Sequence, residues 1–358
     1  MKKKKLPFLY EKDQILIAEI NKKTSHFNRN NITRTKAYLD IFIELPELHW
    51  AFLAHMVSRN GGWSMTDLKG DLLPHLLEKE KREHFFLFLE TSNAYIFQNA
   101  YPQLLLYKES LRVGRSLFHL LPVFHVSAFM LPFWEEFWES RDSSLLTLAL
   151  IINEQHYIEK RIVQHPEFKQ IVFNTLEFTA QSILQLTQVL LPYQETKRWL
   201  RSSSIALAGI TVQRFTRLAD RIEAGRKLYS ILFGISSIHE GCRIFALQHR
   251  HTGSRADYWP TLFSKQDETQ GGYYGKERLI KCQLKHGAPR FYSPELTVAW
   301  QDEQWREPER FDWFVDLSPL IYLEPLSLAS DVDITTDFCN ALNRVELAIL
   351  AKQQWNKK

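Results

Sequence analysis

The sequence predicts a mostly α-helical protein, a multi-helix globular bundle with an irregular, partly extended C-terminal cap. Apolar residues recur at helical spacing through the first two thirds of the 358-residue chain. Glycine and proline then cluster between residues 253 and 294, where short mixed runs replace the helical pattern. With 45% apolar and 24% charged residues, the composition is that of a globular protein with a sizeable core.

Individual helices follow from this periodicity and from the glycines and prolines that interrupt it. Pro46 starts a helix that we expect to end at Gly61 and Gly62, and Pro102 separates two further helices. Another helix begins at Pro166 and is expected to stop at Pro192. The predicted helices cover residues 32–45, 46–60, 79–100, 102–114, 143–164, 166–191, 211–233, 236–249 and 335–355.

The chain is expected to divide into a basic N-terminal arm with a first helix, residues 1–25, and a single helical domain, residues 26–358. The change of texture near residue 250 is the one candidate for a boundary inside that domain. Lys2–Lys5 carry four positive charges, as many as the whole net charge of +4. Nucleic acid or an anionic membrane surface is therefore expected as a partner only through Lys2–Lys5, and a solubilising terminus explains the same run.

Two features bear on membrane insertion and on the cellular compartment. Residues 116–134 contain no Asp, Glu, Lys or Arg, but their two prolines and two histidines favour a buried or interfacial helical hairpin over a membrane span. Cys242, Cys282 and Cys339 lie at least 40 residues apart, a spacing that indicates neither a disulfide framework nor a zinc site. We therefore expect a cytoplasmic protein.

The stretch HWAFLAHMVSRNGGWSMTDLKG, residues 49–70, is the first candidate binding segment. Its two glycines would let a ligand approach the backbone, and Arg59 could hold a phosphate or carboxylate through two parallel hydrogen bonds. Asn60 and Trp63 flank the glycines as further ligand-binding candidates, and Asp67 is a candidate proton carrier. The structural alternative is a helix cap in which Arg59 and Asp67 form a salt bridge.

The stretch HRHTGSRADYW, residues 249–259, is the second candidate segment. Backbone N–H groups of Thr252 and Ser254 could form an anion nest around Gly253, with Arg255 supplying charge. Tyr258 is a further ligand-binding candidate, and the alternative is that it anchors the segment to the core.

Catalysis within the second segment would rest on a histidine and a carboxylate. His251 titrates near neutrality and Asp257 could orient it, so the two form a candidate acid–base pair. A nucleophilic Ser254 needs a histidine within reach and a third group to hold it, which neighbouring positions in sequence rarely provide.

Several function classes lack their sequence motifs. The chain contains no GxxxxGK[ST], no HExxH and no CxxC, and no GxGxxG follows a predicted strand. Nucleotide hydrolysis, dinucleotide-dependent redox chemistry and zinc protease activity are therefore not supported. No metal site is predicted, and the sequence assigns no cofactor.

Four long phrases resemble a known family. They are RTKAYLDIFIELPELHWAFLAHMVSRNGGWSMTDLKG, RIEAGRKLYSILF, HTGSRADYWPTLF and YSPELTVAW. They look like the YppC-like family of uncharacterised Bacillus-type proteins, and the resemblance spans roughly residues 25 to 325. It implies one family-wide domain, a bacterial origin and a cytoplasmic setting, and it gives no residue a function.

Two hypotheses about function remain open. The first is a helical binding or scaffold protein that presents polar loops and tryptophan-rich helical surfaces to a protein partner or a small anionic ligand. The second is an enzyme that acts on an anionic, perhaps phosphorylated, substrate through the Arg, His and Asp residues of segments 58–69 and 249–259. Convergence of the two segments on one concave pocket would favour a ligand or substrate site.

Overall fold

In the computed structural model, residues 10–175, 188–195, 204–212, 214–269, 277–324 and 332–355 are described. Helices dominate this part of the chain, and its strands form three two-stranded sheets. The predicted mostly α-helical class is therefore confirmed. The arm Lys2–Lys5 lies outside the described residues, and the division into residues 1–25 and 26–358 stays a prediction.

Five helices form the N-terminal half of the bundle. They are α1 (Glu11–Phe27), α2 (Asn31–Glu44), α3 (His49–Asp67), α4 (Leu73–Leu76) and α5 (Lys79–Val113). Helix α3 is the central element, because it contacts α2, α5 and the later bundle helices and buries most of its surface. Any site on α3 is therefore built against several elements at once.

The remaining helices pack around α3 and α5. They are α6 (Met130–Ser140), α7 (Ser143–Ile158), α8 (Pro166–Phe168), α9 (Leu218–Gly234), α10 (Ser236–Gln248), α11 (Leu296–Ala299) and α12 (Thr335–Trp355). Residues 249–269 and 277–324, which lie between α10 and α12, contain only short helices and two-residue strands. This is the irregular C-terminal cap that the glycine and proline cluster predicts.

Four predicted helix boundaries are wrong. The helix predicted from Pro46 begins at His49, and the helix predicted from residue 211 begins at Leu218, because Thr211 belongs to a strand. Helix α3 continues through Gly61 and Gly62 to Asp67, and α5 runs unbroken from Lys79 to Val113 with Pro102 inside it. The glycines serve close packing: a Cβ on Gly62 would lie 2.5 Å from His251 Nε2 and 2.6 Å from Asn31 Oδ1. Burial of α3 on all sides outweighs the cost of about 1 kcal/mol that each glycine adds to a helix.

The helix predicted for residues 166–191 is confirmed at its start, where Pro166–Phe168 and Lys169–Phe173 are helical, and is wrong at its end. Residues 176–187 of this prediction lie outside the described residues. The last residues of the predicted helix, 188–191, belong instead to the strand β1 (Gln188–Glu195). This strand pairs in antiparallel register with β2 (Ser204–Thr211). Pro192 sits within β1, where its missing N–H is tolerated because β1 pairs with one strand only among the described residues. Asn60 of α3 fixes the strand by accepting from Leu190 N at 2.7 Å and donating to Leu190 O at 2.8 Å.

Two of the three cysteines form a disulfide, which corrects the expectation from their spacing. Cys282 lies in the turn between β4 (Leu279–Ile280) and β5 (Gln283–Leu284), and it is bonded to Cys339 in α12. The described Cys242 is free and buried. The short hairpin is thus tied covalently to the last helix.

The uncharged segment 116–134 is folded into the core, as expected. Residues Phe118–Phe124 form a 3₁₀ helix, and α6 begins at Met130. Phe118 and Met130 are fully buried. None of the helices in the described ranges is long and apolar enough to cross a membrane.

Candidate ligand-binding site

The two segments singled out in the sequence meet along one side of α3, in a contact that we call the polar seam (Arg59–Asp67 of α3 against residues 249–259). Thr66 Oγ1 donates to Gly253 O at 2.6 Å, and Arg59 Nη2 donates to His249 O at 2.8 Å. Gly253 has a positive φ of 84°, and a Cβ there would lie 2.7 Å from Leu296 Cβ. The segments therefore converge, through a tightly packed contact.

His251 and Asp257 lie close together inside the polar seam. His251 Nδ1 is 3.7 Å from Asp257 Oδ2, longer than a hydrogen bond, while His251 Nε2 is 2.9 Å from Asn31 Oδ1. Their side chains are 4% and 3% exposed. Burial lowers the pKa of His251 to about 4, so this imidazole is neutral at pH 7.

The predicted anion nest already holds an anion, the carboxylate of Asp257. Thr252 donates its backbone N–H to Asp257 Oδ2 and its hydroxyl to Asp257 Oδ1, each at 2.7 Å. Burial alone would raise the pKa of Asp257, but its contacts with His251 and Thr252 hold that pKa below its ordinary value. Ser254 Oγ donates to Ser293 O at 2.6 Å and accepts from Ala256 N, so it acts as a local cap.

Arg255 of residues 249–259 and Asp67 of α3 form an ion pair across the polar seam. Arg255 Nε lies 2.9 Å from both carboxylate oxygens of Asp67, and Arg255 Nη2 lies 2.7 Å from Oδ2. Arg255 Nη1 donates to Tyr258 Oη at 2.7 Å. Burial opposes the charge of Arg255, but Asp67 and Tyr258 raise its pKa well above the ordinary value. Asp67 thus pairs with Arg255 and not, as the sequence alternative had it, with Arg59.

Arg59 is fully buried and faces aromatic rings. Its guanidinium lies 4.5 Å from the ring centroid of Phe245 and 5.9 Å from that of Trp63. Burial lowers the pKa of Arg59 to about 10. Trp63 in turn packs edge-on against Tyr258, with centroids 4.7 Å apart. Tyr258 is 1% exposed, which matches its predicted alternative as a core anchor.

A cavity of about 320 Å³ lies beside the polar seam, along α3 from Val57 to Leu68. That stretch rises about 16 Å along the helix axis, so the cavity is elongated. Its other walls come from α5, α7, α12 and the strands β1, β3 (Phe263–Ser264) and β6 (Phe291–Tyr292). The side chains that line it are mostly apolar: Val57, Leu68, Leu72, Leu73, Phe85, Phe88, Leu89, Ile96, Ile158, Val189, Val212, Phe215, Phe263, Phe291, Phe338, Ala341, Leu342 and Val345.

The charged side chains known to line the cavity are paired. Asp67 is paired with Arg255, and Asp71 is paired with Arg278, which also contacts Glu346 of α12. In contrast, Gln188 lines the cavity with both amide atoms buried, and neither atom has a hydrogen-bond partner among the described residues. Among the described residues that line the cavity, the charged side chains are therefore paired, and the Gln188 amide is buried with its donor and its acceptor both unsatisfied.

Of the ten predicted site residues, Asn60, Asp67 and Arg255 line the cavity. The other seven belong to the polar seam and are not among its lining residues: Arg59, Trp63, His251, Thr252, Ser254, Asp257 and Tyr258. Sequence analysis missed Gln188 and the aromatic walls, since an apolar run in sequence looks the same whether it lines a cavity or fills a core. Within the described ranges, no three His, Cys, Asp or Glu side chains cluster as metal ligands would.

Comparison with known proteins places the chain in a family. The family described as "Protein of unknown function (DUF2515)" matches residues 26–321. The uncharacterized protein YppC of Bacillus subtilis (strain 168) is 35% identical over 347 residues, covering 96% of this chain and 97% of that protein. No solved structure matches the chain. The chain therefore belongs to the DUF2515 family.

Proposed function

We propose that the protein is a binding protein for a small, mostly apolar molecule, which occupies the cavity along α3. The cavity itself carries the proposal, because natural proteins pack their side chains tightly and an elongated, partly open space of about 320 Å³ is much larger than the voids that such packing leaves. Its volume lies at the lower end of ordinary ligand pockets, and its mixture of many apolar and few polar groups is typical of them.

The distribution of charge favours a neutral ligand over an anionic one. Arg255 is the one cationic side chain among the described residues that line the cavity, and it is already paired with Asp67. An anion would have to displace that carboxylate, with a desolvation cost for both groups. The anionic ligand expected from the sequence remains a hypothesis that the same experiment tests.

The experiment is a titration with N-phenylnaphthylamine, a neutral dye that fluoresces when it leaves water for an apolar site. We expect a saturable signal at one dye per protein. Its sulfonated analogue, anilinonaphthalene sulfonate, has the same rings and one negative charge, so it should bind at least about tenfold more weakly. Stronger binding of the sulfonate would support the anionic ligand instead.

A matched pair of variants on α12 tests whether the dye occupies this cavity. Ala341→Leu fills the cavity, and Ala351→Leu makes the same change at an exposed position of the same helix. We expect Ala341→Leu to weaken dye binding by about tenfold or more, and Ala351→Leu to leave it unchanged. Equal binding by both variants, each folded by circular dichroism, would contradict the proposal.

A protein partner, the other part of the binding hypothesis, has less support. Trp50, Trp63 and Trp134 are fully buried, and among the tryptophans in the described ranges only Trp355 is exposed. The tryptophan-rich surfaces expected from the sequence are therefore mostly interior. Retention of a bacterial protein by the immobilised chain, lost in Trp355→Ala, would favour a partner.

An enzyme acting on an anionic substrate is the second candidate, and the proximity of His251 and Asp257 favours it. Such an enzyme would need a path by which the substrate reaches His251 from solvent or from the cavity, because the His251 side chain is only 4% exposed. Hydrolysis of a chromogenic phosphate ester by the wild-type protein, abolished in His251→Gln, would support this candidate.

The cytoplasmic location expected from the sequence also stays a prediction. The Cys282–Cys339 disulfide removes the argument from cysteine spacing, because disulfides are rare in a reducing cytoplasm. Fractionation of bacterial cells, with the chain detected in cytosol, membrane and culture medium, tests the location directly.

A further inference from the structure

We infer that the ligand carries a neutral group with an adjacent hydrogen-bond donor and acceptor, such as a primary carboxamide, and that Gln188 recognises it. This inference rests on the proposed function, since it requires that the cavity is a binding site. It adds the chemical class of the ligand's polar end and the residue that selects it.

Gln188 is placed for this role by both of its neighbouring elements. It is the first residue of β1, and it pairs with Thr211 of β2, while Asn60 fixes the strand two residues later through Leu190. Its Nε2 and Oε1 are both buried, and the described part of the chain supplies a partner to neither. A buried amide without partners loses its hydrogen bonds to water and gains nothing in exchange, so a ligand that pairs with it is favoured.

The chemistry of the amide defines what it can select. A carboxamide offers one acceptor oxygen beside N–H donors, so it pairs best with a group that presents a donor beside an acceptor. A carboxylate has only acceptors and would leave Gln188 Oε1 unpaired. Because the charged side chains known to line the cavity are paired, they provide no separate attraction for such an anion.

The other amides that line the cavity already have hydrogen-bond partners. Asn60 uses both amide atoms on Leu190, and Gln155 accepts from Arg221 Nε at 2.9 Å and donates to Glu154 Oε1 at 3.1 Å. Asn93 Nδ2 donates to Leu89 O at 2.7 Å. Gln188 is therefore distinguished from the other amides of the cavity by having both atoms unused.

The test compares three ligands that share one hydrocarbon chain: decanamide, N,N-dimethyldecanamide and decanoate at pH 7.5. The dimethyl compound keeps the acceptor and lacks the donor, so it leaves Gln188 Oε1 unpaired. We expect decanamide to displace N-phenylnaphthylamine at about tenfold lower concentration than either of the others. The rise in Tm that each ligand causes gives a second measurement that does not depend on the dye.

Variants on β1 assign the preference to one side chain. Gln188→Leu should reduce the decanamide preference to less than about threefold, whereas Gln194→Leu, the same change on the same strand outside the cavity, should keep it. Equal displacement by decanamide and its dimethyl analogue in the wild-type protein would overturn the inference, and so would a preference that survives in Gln188→Leu.

The outcomes also separate this inference from the proposed function. Dye binding that is lost in Ala341→Leu, together with no amide preference, would keep the binding cavity and reject the role of Gln188. Absence of dye binding and of any ligand-dependent rise in Tm would reject both. If the dye fails to bind but decanamide raises the Tm of the wild-type protein and not of Gln188→Leu, both are supported.

Discussion

The polar seam and the cavity lie side by side on α3, but the polar seam is tightly packed with polar side chains, whereas the cavity is an open space with mostly apolar walls. In the polar seam, Asp257 accepts two hydrogen bonds from Thr252, and Arg255 shares three with Asp67. The polar seam also encloses Arg59 Nε and Nη1, Trp63 Nε1 and His251 Nδ1, which have no hydrogen-bond partner among the described residues. In the cavity, most walls are apolar and the amide of Gln188 is unpaired. The residues that look catalytic in sequence thus hold the chain together, and the space for a ligand is made by residues with no catalytic appearance.

This difference has a physical reason. A buried charge or hydrogen-bonding group is costly unless it is paired, so a segment rich in such groups folds stably when they satisfy one another. Once satisfied, the groups have little capacity left for a ligand. A binding site needs the reverse: a space that neighbouring side chains leave open and a few groups with bonds still to make. Each prediction below perturbs one side of this comparison.

The largest effect is expected from the disulfide that ties the cavity wall α12 to the β4–β5 hairpin. Cys282 and Cys339 are separated by 57 residues, and a crosslink of that span contributes about 4 kcal/mol in the chain-entropy model. Reduction should lower the free energy of unfolding by about that amount, measured by urea denaturation with and without a dithiol reductant. Cys282→Ser should show the lower stability in both conditions.

The third cysteine, Cys242, should not interfere with that experiment. Cys242 is buried, and burial raises the pKa of its thiol, so it should not react with disulfides or alkylating reagents in the folded state. A reductant effect of equal size in Cys282→Ser would show that the loss of stability has another source.

The next effect concerns the ion pair that the polar seam shares with the cavity. Asp67→Ala leaves the Arg255 guanidinium largely buried without its carboxylate, and removing one partner of such a pair costs about 3 kcal/mol. The double variant Asp67→Ala with Arg255→Met should recover most of this loss in urea denaturation. If Asp67→Ala changes stability by less than about 0.5 kcal/mol, the pair is not a structural contact in solution.

The sequence predicts the class of the fold and singles out the two segments that meet on α3, but it predicts neither their meeting nor the cavity. The helices α7, α10 and α12 follow from their apolar periodicity, which local spacing determines. The strand β1 does not, because QVLL suits a helix or a strand equally and only its contacts with Asn60 and β2 decide between them. Gln188 could not be found for the same reason: its lack of partners is a property of the assembled structure.

The third effect is a pH dependence that originates in the polar seam. Burial lowers the pKa of His251 from 6.5 to about 4, so between those values the unfolded chain binds a proton that the folded chain does not. Stability from this group is therefore present above pH 6.5 and lost as the pH falls. Between pH 6.5 and pH 5 the loss should be about 2 kcal/mol.

His251→Gln isolates that contribution from those of other histidines. Burial also lowers the pKa values of His49 and His156 to about 4, and their effect is present in both proteins. The free energy of unfolding, measured by urea denaturation from pH 7 to pH 5, should fall less steeply in the variant. Parallel curves for the two proteins would mean that His251 titrates normally in the folded state.

The smallest effects are expected from two variants, one that adds a methyl group in the polar seam and one that enlarges a side chain in the cavity. These variants test the comparison most directly. Gly62→Ala places a Cβ 2.5 Å from His251 Nε2, and the strain should exceed the gain in helix propensity, for a net loss of about 1 kcal/mol. Ala341→Leu fills part of the cavity and should raise the free energy of unfolding by about 1 kcal/mol. Opposite signs in urea denaturation would show that the polar seam is closed and the cavity is open in solution. If Ala341→Leu destabilised the protein as much as Gly62→Ala, the cavity would be too tightly packed in solution to admit a ligand.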